Sequence, residues 1–280
     1  MGKIPHYRDF EIMLFQITNR CHMGCPHCMD DSKPDGGMMP GWIFHAAAQF
    51  AKANGERHIL ISGGEPTEHP HFLPFCRMAS WIGLKFSFAS NGMWLGELGK
   101  EKVIEEIATL PGFVGGQIYS NPKWYRLHDK TLREYNLNAD KWNGLHIFLD
   151  TTDIRSMSDI GRAKNCPAAM EEVVKSKFHN MCLTSCVTAA QCDTLENFFL
   201  MMLMQHRFCT PMIDYKGNLH MSESILCPSI GNVTKDDAAT LWKAMKEFRP
   251  CGGCTPCRRF LTEDDPKMAM ARKLLGMEAA

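Results

Sequence analysis

Short apolar runs separated by longer segments of helical period occupy the chain from its start to about residue 206. The runs Glu11 to Ile17, Arg57 to Ser62, Leu84 to Ala89, Phe113 to Ser120, Leu145 to Asp150 and Met181 to Val187 read as strands. The intervals read as helices over Gly41 to Asn54, His71 to Gly83, Gly99 to Leu110, Lys123 to Tyr135, Pro167 to Lys177 and Thr194 to Gln205. Strand-helix alternation repeated in this way predicts parallel strands joined by right-handed crossovers, with ligand chemistry gathered where strands run into helices. The last helix is apolar nearly all round and should be buried on two sides. Beyond residue 206 the alternation gives way to cysteines, prolines and glycines around one helical stretch, Asp236 to Phe248. The expected organisation is therefore a core over residues 1–206 and a compact, metal-stapled module over 207–280.

Composition narrows the function classes. The 31 basic and 31 acidic residues cancel, and neither sign forms a block, so no electrostatic footprint for nucleic acid stands out. No segment has the length or apolarity of a membrane span, and the start lacks the apolar core of a signal peptide, so a soluble cytoplasmic protein is expected. The 13 cysteines then read first as metal ligands where closely spaced and otherwise as buried thiols, as expected for Cys76 and Cys166. Most of the 20 methionines are expected as core filler.

Cys21, Cys25 and Cys28 form a CxxxCxxC directly after the first strand. Three thiolates can hold three irons of a four-iron cluster and leave the fourth open, whereas a closed structural site normally wants a fourth protein ligand. The second strand runs into Ser62-Gly-Gly-Glu-Pro66, a glycine turn that lets backbone approach a ligand, with Glu65 able to accept hydrogen bonds from an ammonium group.

Together the two segments resemble the radical S-adenosylmethionine (SAM) superfamily, which places CxxxCxφC after the first barrel strand and GGEP after the second. The resemblance implies a partial (β/α)6 TIM-like barrel in which Cys21, Cys25 and Cys28 bind a 4Fe-4S cluster and His27 fills the aromatic position. SAM chelates the open iron, and Gly63, Gly64, Glu65 and Pro66 hold its methionyl end. Three further segments fit the same pattern: Ser90-Asn91-Gly92 after the third strand, where Ser90 and Asn91 would approach SAM; Gln117 to Ser120, with Ser120 near the ribose or carboxylate; and Ile160-Gly-Arg-Ala163 after the fifth.

Cys209, Cys227 and Cys251-Gly-Gly-Cys254-Thr-Pro-Cys257 can supply four thiolates, for zinc or for an iron-sulfur cluster. They resemble the SPASM and Twitch extensions of radical SAM enzymes, with Gly217 and Ile230 to Val233 in the usual places. Ser222 stands where full SPASM members commonly have a cysteine, so the resemblance implies one auxiliary cluster held by Cys209, Cys227, Cys251 and Cys254, with Cys257 as the alternative ligand. Cys182, Cys186 and Cys192 are read first as packing residues, with a catalytic thiol or an additional cluster ligand as the alternative. His69 and His71 could border the active site or line a solvated loop, the loop being preferred, while Tyr125, Arg126, His128 and Asp129 are candidates for either a substrate pocket or a polar helix surface.

The activity implied is reductive cleavage of SAM to a 5′-deoxyadenosyl radical that abstracts hydrogen from a substrate, fed by a donor such as flavodoxin or ferredoxin. Oxidative modification of a peptide or protein side chain is the expected outcome, and dehydrogenation of a small molecule such as a sugar alcohol is the alternative. A non-enzymatic iron-sulfur sensor is the competing class, against which the open-iron triad and the GGEP turn both argue.

Overall fold

The computed structural model describes residues 12–25, 28, 30–55, 58–120, 139–151, 162, 211–221, 225 and 228–247. Among these, five parallel strands follow one another in space as in sequence: β1 (Ile12–Thr18), β2 (His58–Gly63), β3 (Lys85–Ser90), β4 (Phe113–Ser120) and β5 (Ile147–Thr151). Helices α1 (Gly41–Ala53), α2 (Phe72–Ile82), α3 (Leu98–Ala108) and α4 (Ala139–Gly144) fall between them. β4 has the expected ends, and the ends of β1, β2, β3 and β5 differ from the sequence expectation by one or two residues. The short α4 was not expected. The strand expected over Met181 to Val187 and the helices expected over Lys123 to Tyr135, Pro167 to Lys177 and Thr194 to Gln205 lie outside the described residues.

The sheet does not stop at β1. A two-residue strand, β6 (Met212–Ile213), pairs parallel with Leu14 and Phe15, and β7 (Asn218–His220) and β8 (Ser229–Asn232) continue antiparallel from it. The order is β5-β4-β3-β2-β1-β6-β7-β8, so β1, which leads into the cysteine loop, is held by ladders on both sides. Strands β6 to β8 thus extend the sheet of the core, and α5 (Ala238–Glu247) follows them.

Helical spacing of apolar residues explains the layering. In α1, Ile43, Phe44, Ala47, Ala48 and Ala51 are buried at intervals of three and four, which puts them on one stripe. Phe44 meets Phe15 of β1 edge-on at 5.6 Å and stacks on Phe75 of α2 at 4.3 Å. α2 ends at Gly83, whose φ of 85° provides a left-handed cap that returns the chain to β3. Because side chains alternate along a strand, Leu14 and Gln16 point away from α1. That face also carries Leu60 and Ser62, together with His58 and Ser87, whose side chains meet at 2.8 Å.

Candidate functional site

β1 gives way to a loop that closes on itself before α1 begins. The Asn19 N–H donates to the Gly37 carbonyl at 2.8 Å and the Cys21 N–H to Lys33 at 3.0 Å, while Lys33 donates back to Asn19 at 3.3 Å. Thr18 and Ser32 reinforce the base: the Thr18 hydroxyl donates to Gly37 at 2.8 Å, and the Ser32 hydroxyl donates to Asn19 Oδ1 at 2.7 Å. Gly36 is required here, since a Cβ would stand 2.0 Å from the Asn19 carbonyl oxygen.

Within this closed loop Cys21 is buried and Cys25 and Cys28 are half-buried, all three as free thiols. Backbone N–H groups already point at sulfur, Met23 toward Cys21 Sγ and Ser32 toward Cys28 Sγ, each at 3.4 Å. Burial pushes the Cys21 thiol up to about 11, with the nearby carboxylates of Glu65 and Glu68 adding to it. Burial and the neighbouring Cys21 and Cys28 push Cys25 up to about 12, although Arg162 pulls in the other direction. Without a metal Cys21 and Cys25 stay protonated, so ligation must supply the free energy to ionise them. Among the described residues no group of three side chains converges on a single metal ion. Three free thiols, with N–H donors aimed at the sulfurs of Cys21 and Cys28, suit a multinuclear cluster, whose irons each take one thiolate. The donor set therefore fits a cluster with three protein ligands.

The turn after β2 is packed directly on that loop. Gly64 donates to the Thr18 carbonyl at 2.7 Å and Glu65 to the Arg20 carbonyl at 2.8 Å. A Cβ on Gly64 would meet the Arg20 carbonyl oxygen at 2.2 Å, and one on Gly63 the Thr18 carbonyl oxygen at 2.4 Å. Both glycines are thus needed for contact between the two loops, in addition to any ligand they admit. The Glu65 side chain is 1% exposed and accepts from the Thr67 N–H at 3.1 Å, the Thr67 hydroxyl at 2.6 Å, the Ser90 hydroxyl at 2.8 Å and the Asn91 N–H at 2.7 Å. Burial pushes its carboxyl up, opposed by these donors from Asn91, Thr67 and Ser90. All four donors belong to the chain, so Glu65 knots the end of β2 to the end of β3. Pro66 opens the 3-10 turn Pro66–Glu68, and Glu68 in turn receives the His22 N–H at 3.2 Å and pairs with His22 Nδ1 at 2.7 Å.

From β3, Ser90 accepts from the Gly92 N–H and from Trp94 Nε1 at 3.1 and 2.9 Å. The Asn91 side-chain amide donates to Cys21 Sγ at 3.8 Å. Arg162 approaches from beyond β5 and bonds the cysteine loop at several points. The sequence reading missed Thr67, Glu68 and Asp30. Asp30 takes Gln16 Nε2 at 3.0 Å and the Ile225 N–H at 3.1 Å, tying the loop to β1 and to the chain beyond β7. The acidic pair Asp30-Asp31 directly after the cysteines was the available signal for it.

Other candidates are placed elsewhere or lie outside the description. His69, expected in a solvated loop, is 4% exposed. Its Nε2 meets the Met39 carbonyl and its Nδ1 accepts from the His71 N–H, each at 3.0 Å, while its ring lies 4.9 Å from Phe75. Burial lowers it to about 4, so it is neutral and structural. His71 is exposed. Ser120 pairs with Thr151 through the β4–β5 ladder. His27, Cys209, Cys227, Cys251, Cys254 and Cys257 lie outside the described residues, as do Cys166, Cys182, Cys186 and Cys192 and the segment Tyr125 to Asp129.

Comparison with known proteins agrees with this geometry. The family model described as the radical SAM superfamily matches residues 15–119, from β1 through β4. An S-adenosylmethionine-dependent nucleotide dehydratase from Thermoplasmatales archaeon (strain ISO4-H5) is 32% identical over 91 residues, covering 32% of this chain and 32% of that protein. The match thus spans about a third of that relative. Among solved structures, BtrN in complex with AdoMet and 2-DOIA superposes with a TM-score of 0.54 at 15% identity, covering 96% of this chain and 87% of that one. Native anSMEcpe with bound AdoMet and Cp18Cys peptide gives a TM-score of 0.52 at 11% identity, covering 95% of this chain and 96% of that one. These two likenesses establish the α/β fold with its mostly parallel sheet. The cysteine loop and the glycine turn packed on it both lie inside residues 15–119, the segment that matches the radical SAM superfamily model.

Proposed function

We propose that the chain uses a 4Fe-4S cluster on Cys21, Cys25 and Cys28 to cleave SAM reductively and abstract hydrogen from a substrate. The observation that carries this reading is the closed cysteine loop packed against the Gly63-Gly64-Glu65 turn, inside the segment that matches the radical SAM superfamily. When bound, the cluster and SAM supply methionine and a 5′-deoxyadenosyl radical by one-electron cleavage of SAM. The chain's own residues bind and orient. Asn91 offers a side-chain donor to Cys21 Sγ and Glu65 holds the Asn91 backbone in place. Gly63, Gly64, Glu65, Pro66, Ser90, Asn91 and Ser120 stand at strand ends, where the methionyl and ribose parts of SAM would lie. The sheet face opposite α1, with Gln16, Ser62, His58 and Ser87, is the surface we assign to the substrate side.

We read the substrate as a small polar molecule. The relative with 32% identity carries the name of a nucleotide dehydratase, and BtrN was solved with 2-DOIA. Oxidative modification of a peptide or protein side chain, the expectation from sequence, is the second reading, in keeping with anSMEcpe bound to a Cp18Cys peptide. We also retain the division at residues 206/207, with a Twitch-like auxiliary cluster on Cys209, Cys227, Cys251 and Cys254 or Cys257, a flavodoxin or ferredoxin as electron donor, and a cytoplasmic setting. Among the described residues no helix is long and apolar enough to cross a membrane.

Anaerobically reconstituted protein given SAM and dithionite should form 5′-deoxyadenosine and methionine, and Cys25→Ala should not. A fully loaded wild-type protein that forms neither product overturns the reading. Deuterated nucleotides, amino sugars and cysteine- or serine-containing peptides then separate the substrate classes, since the true substrate passes deuterium to 5′-deoxyadenosine.

A further inference from the structure

Arg162 bonds the cysteine loop at four points, to residues 130 to 137 positions earlier in the chain. Its backbone N–H donates to the Cys28 carbonyl at 2.9 Å and its Nε to the Cys25 carbonyl at 2.9 Å. Its Nη1 donates both to Asp31 Oδ1 and to the Ser32 carbonyl, each at 2.8 Å. Two of the bonded carbonyls belong to cysteines of the triad. Asp31 is one of two non-glycine residues with positive φ among those described, at 49°, a conformation disfavoured for a side chain bearing a Cβ. Arg162 grips this bend with both an ion pair and the following carbonyl. Slight burial pushes the Asp31 carboxyl up, but Lys33 and Arg162 outweigh it and hold it below the usual carboxylate range. The guanidinium is fork-shaped and permanently charged, so it can bond several carbonyls in fixed directions while placing a cation beside Cys25.

We propose that Arg162 is the positioning residue that holds the cysteine loop in its cluster-bearing shape, and that its charge raises the reduction potential of the cluster bound there. The inference rests on the proposed cluster site. Carbonyls and donors around a metal's ligands fix their orientation, and their loss typically weakens metal retention by about tenfold or more. A cluster gains negative charge on reduction, so a nearby cation favours the reduced form.

The test uses the full-length protein and three variants, Arg162→Gln, Arg162→Lys and Asp31→Asn. Hydrogen exchange of the iron-free protein should show faster exchange at Cys28 and Ser32 in both Arg162 variants. After reconstitution, Arg162→Gln should lose iron to a chelator about tenfold faster and have a more negative midpoint potential in an EPR-monitored titration. Arg162→Lys keeps the charge without the fork, so its potential should stay near wild type while its loop remains loose. Asp31→Asn removes a negative charge and should shift the potential the opposite way from Arg162→Gln. Loop exchange and potential unchanged in Arg162→Gln, or shifts of the same sign in Arg162→Gln and Asp31→Asn, overturn the proposal. Failure of the wild-type protein to hold any iron at this loop overturns the proposed cluster site itself, a result distinct from either.

Discussion

The side-chain amide of Asn91, at the end of β3, donates to the sulfur of Cys21 at 3.8 Å, while its backbone N–H is held by Glu65 at 2.7 Å. The first cysteine of the loop is thus addressed from a strand two places away in the sheet. A donor to a ligand sulfur disperses negative charge and stabilises the reduced cluster. Asn91→Ala should therefore have a more negative midpoint potential than wild type, and Asn91→Asp a more negative one still, because a carboxylate then faces the thiolate. Potentiometric EPR of the three proteins gives the order; equal potentials would show that the contact has no electronic consequence.

The Glu65 carboxylate receives four donors and offers none, so an amide is a poor replacement despite its similar shape. Glu65→Gln must turn its NH2 toward either the Asn91 N–H or the donors from Thr67 and Ser90, leaving a buried donor unmatched. A loss of about 1–3 kcal/mol is expected. Chemical denaturation of the iron-free protein measures it, so the outcome does not depend on cluster loading.

Gly36 and Gly64 are placed where a methyl group would collide with backbone, at 2.0 Å from Asn19 and 2.2 Å from Arg20. Alanine at either position should destabilise by about 1–3 kcal/mol and lower iron loading together. Gly99 in α3 has nothing within 4 Å of its Cβ position, and Gly99→Ala should leave both unchanged or raise stability by up to about 1 kcal/mol. Iron content and denaturation midpoints of the three variants test the contrast.

His69 links stability to pH. Its folded value is lowered to about 4, against an unfolded value near 6.5, so over this interval the unfolded chain binds more protons than the folded one. Stability should be fully present above about 6.5 and decline as pH falls toward about 4. Thermal unfolding at stepped pH should show this slope in wild type and a shallower one in His69→Gln, which lacks the titrating ring. An unchanged slope in the variant would assign the acid sensitivity elsewhere.

The strands β1 to β5 and the helices between the first four were readable because each buries one periodic stripe, as Phe44 and Ala47 do in α1. The first loop was legible as a candidate metal site because three thiols fall within eight residues, and the structure closes that stretch into one loop. Partners were less so. β6 spans two residues, too short for alternation to register, and its pairing with Leu14 and Phe15 joins opposite ends of the described chain. The donors around Glu65 come from Thr67 and from the end of β3, and Arg162, although its segment fitted the sequence pattern, binds three main-chain carbonyls as well as Asp31, and carbonyls carry no sequence signature. His69 was misjudged because a His-Pro-His segment has the composition of an exposed loop, whereas Phe75 and the Met39 carbonyl enclose its ring.

The position of β1 within the sheet has a temporal consequence. Its ladder on one side is complete once β2 has been synthesised, but the other side waits for Met212 and Ile213. Contacts so distant in sequence form slowly, since the intervening chain must first be gathered in. During translation the cysteine loop therefore hangs from a strand with one open edge, exposed both to metal delivery and to mispairing. Cluster insertion before the chain is finished would meet a half-supported loop, and insertion after it a loop already closed on both flanks.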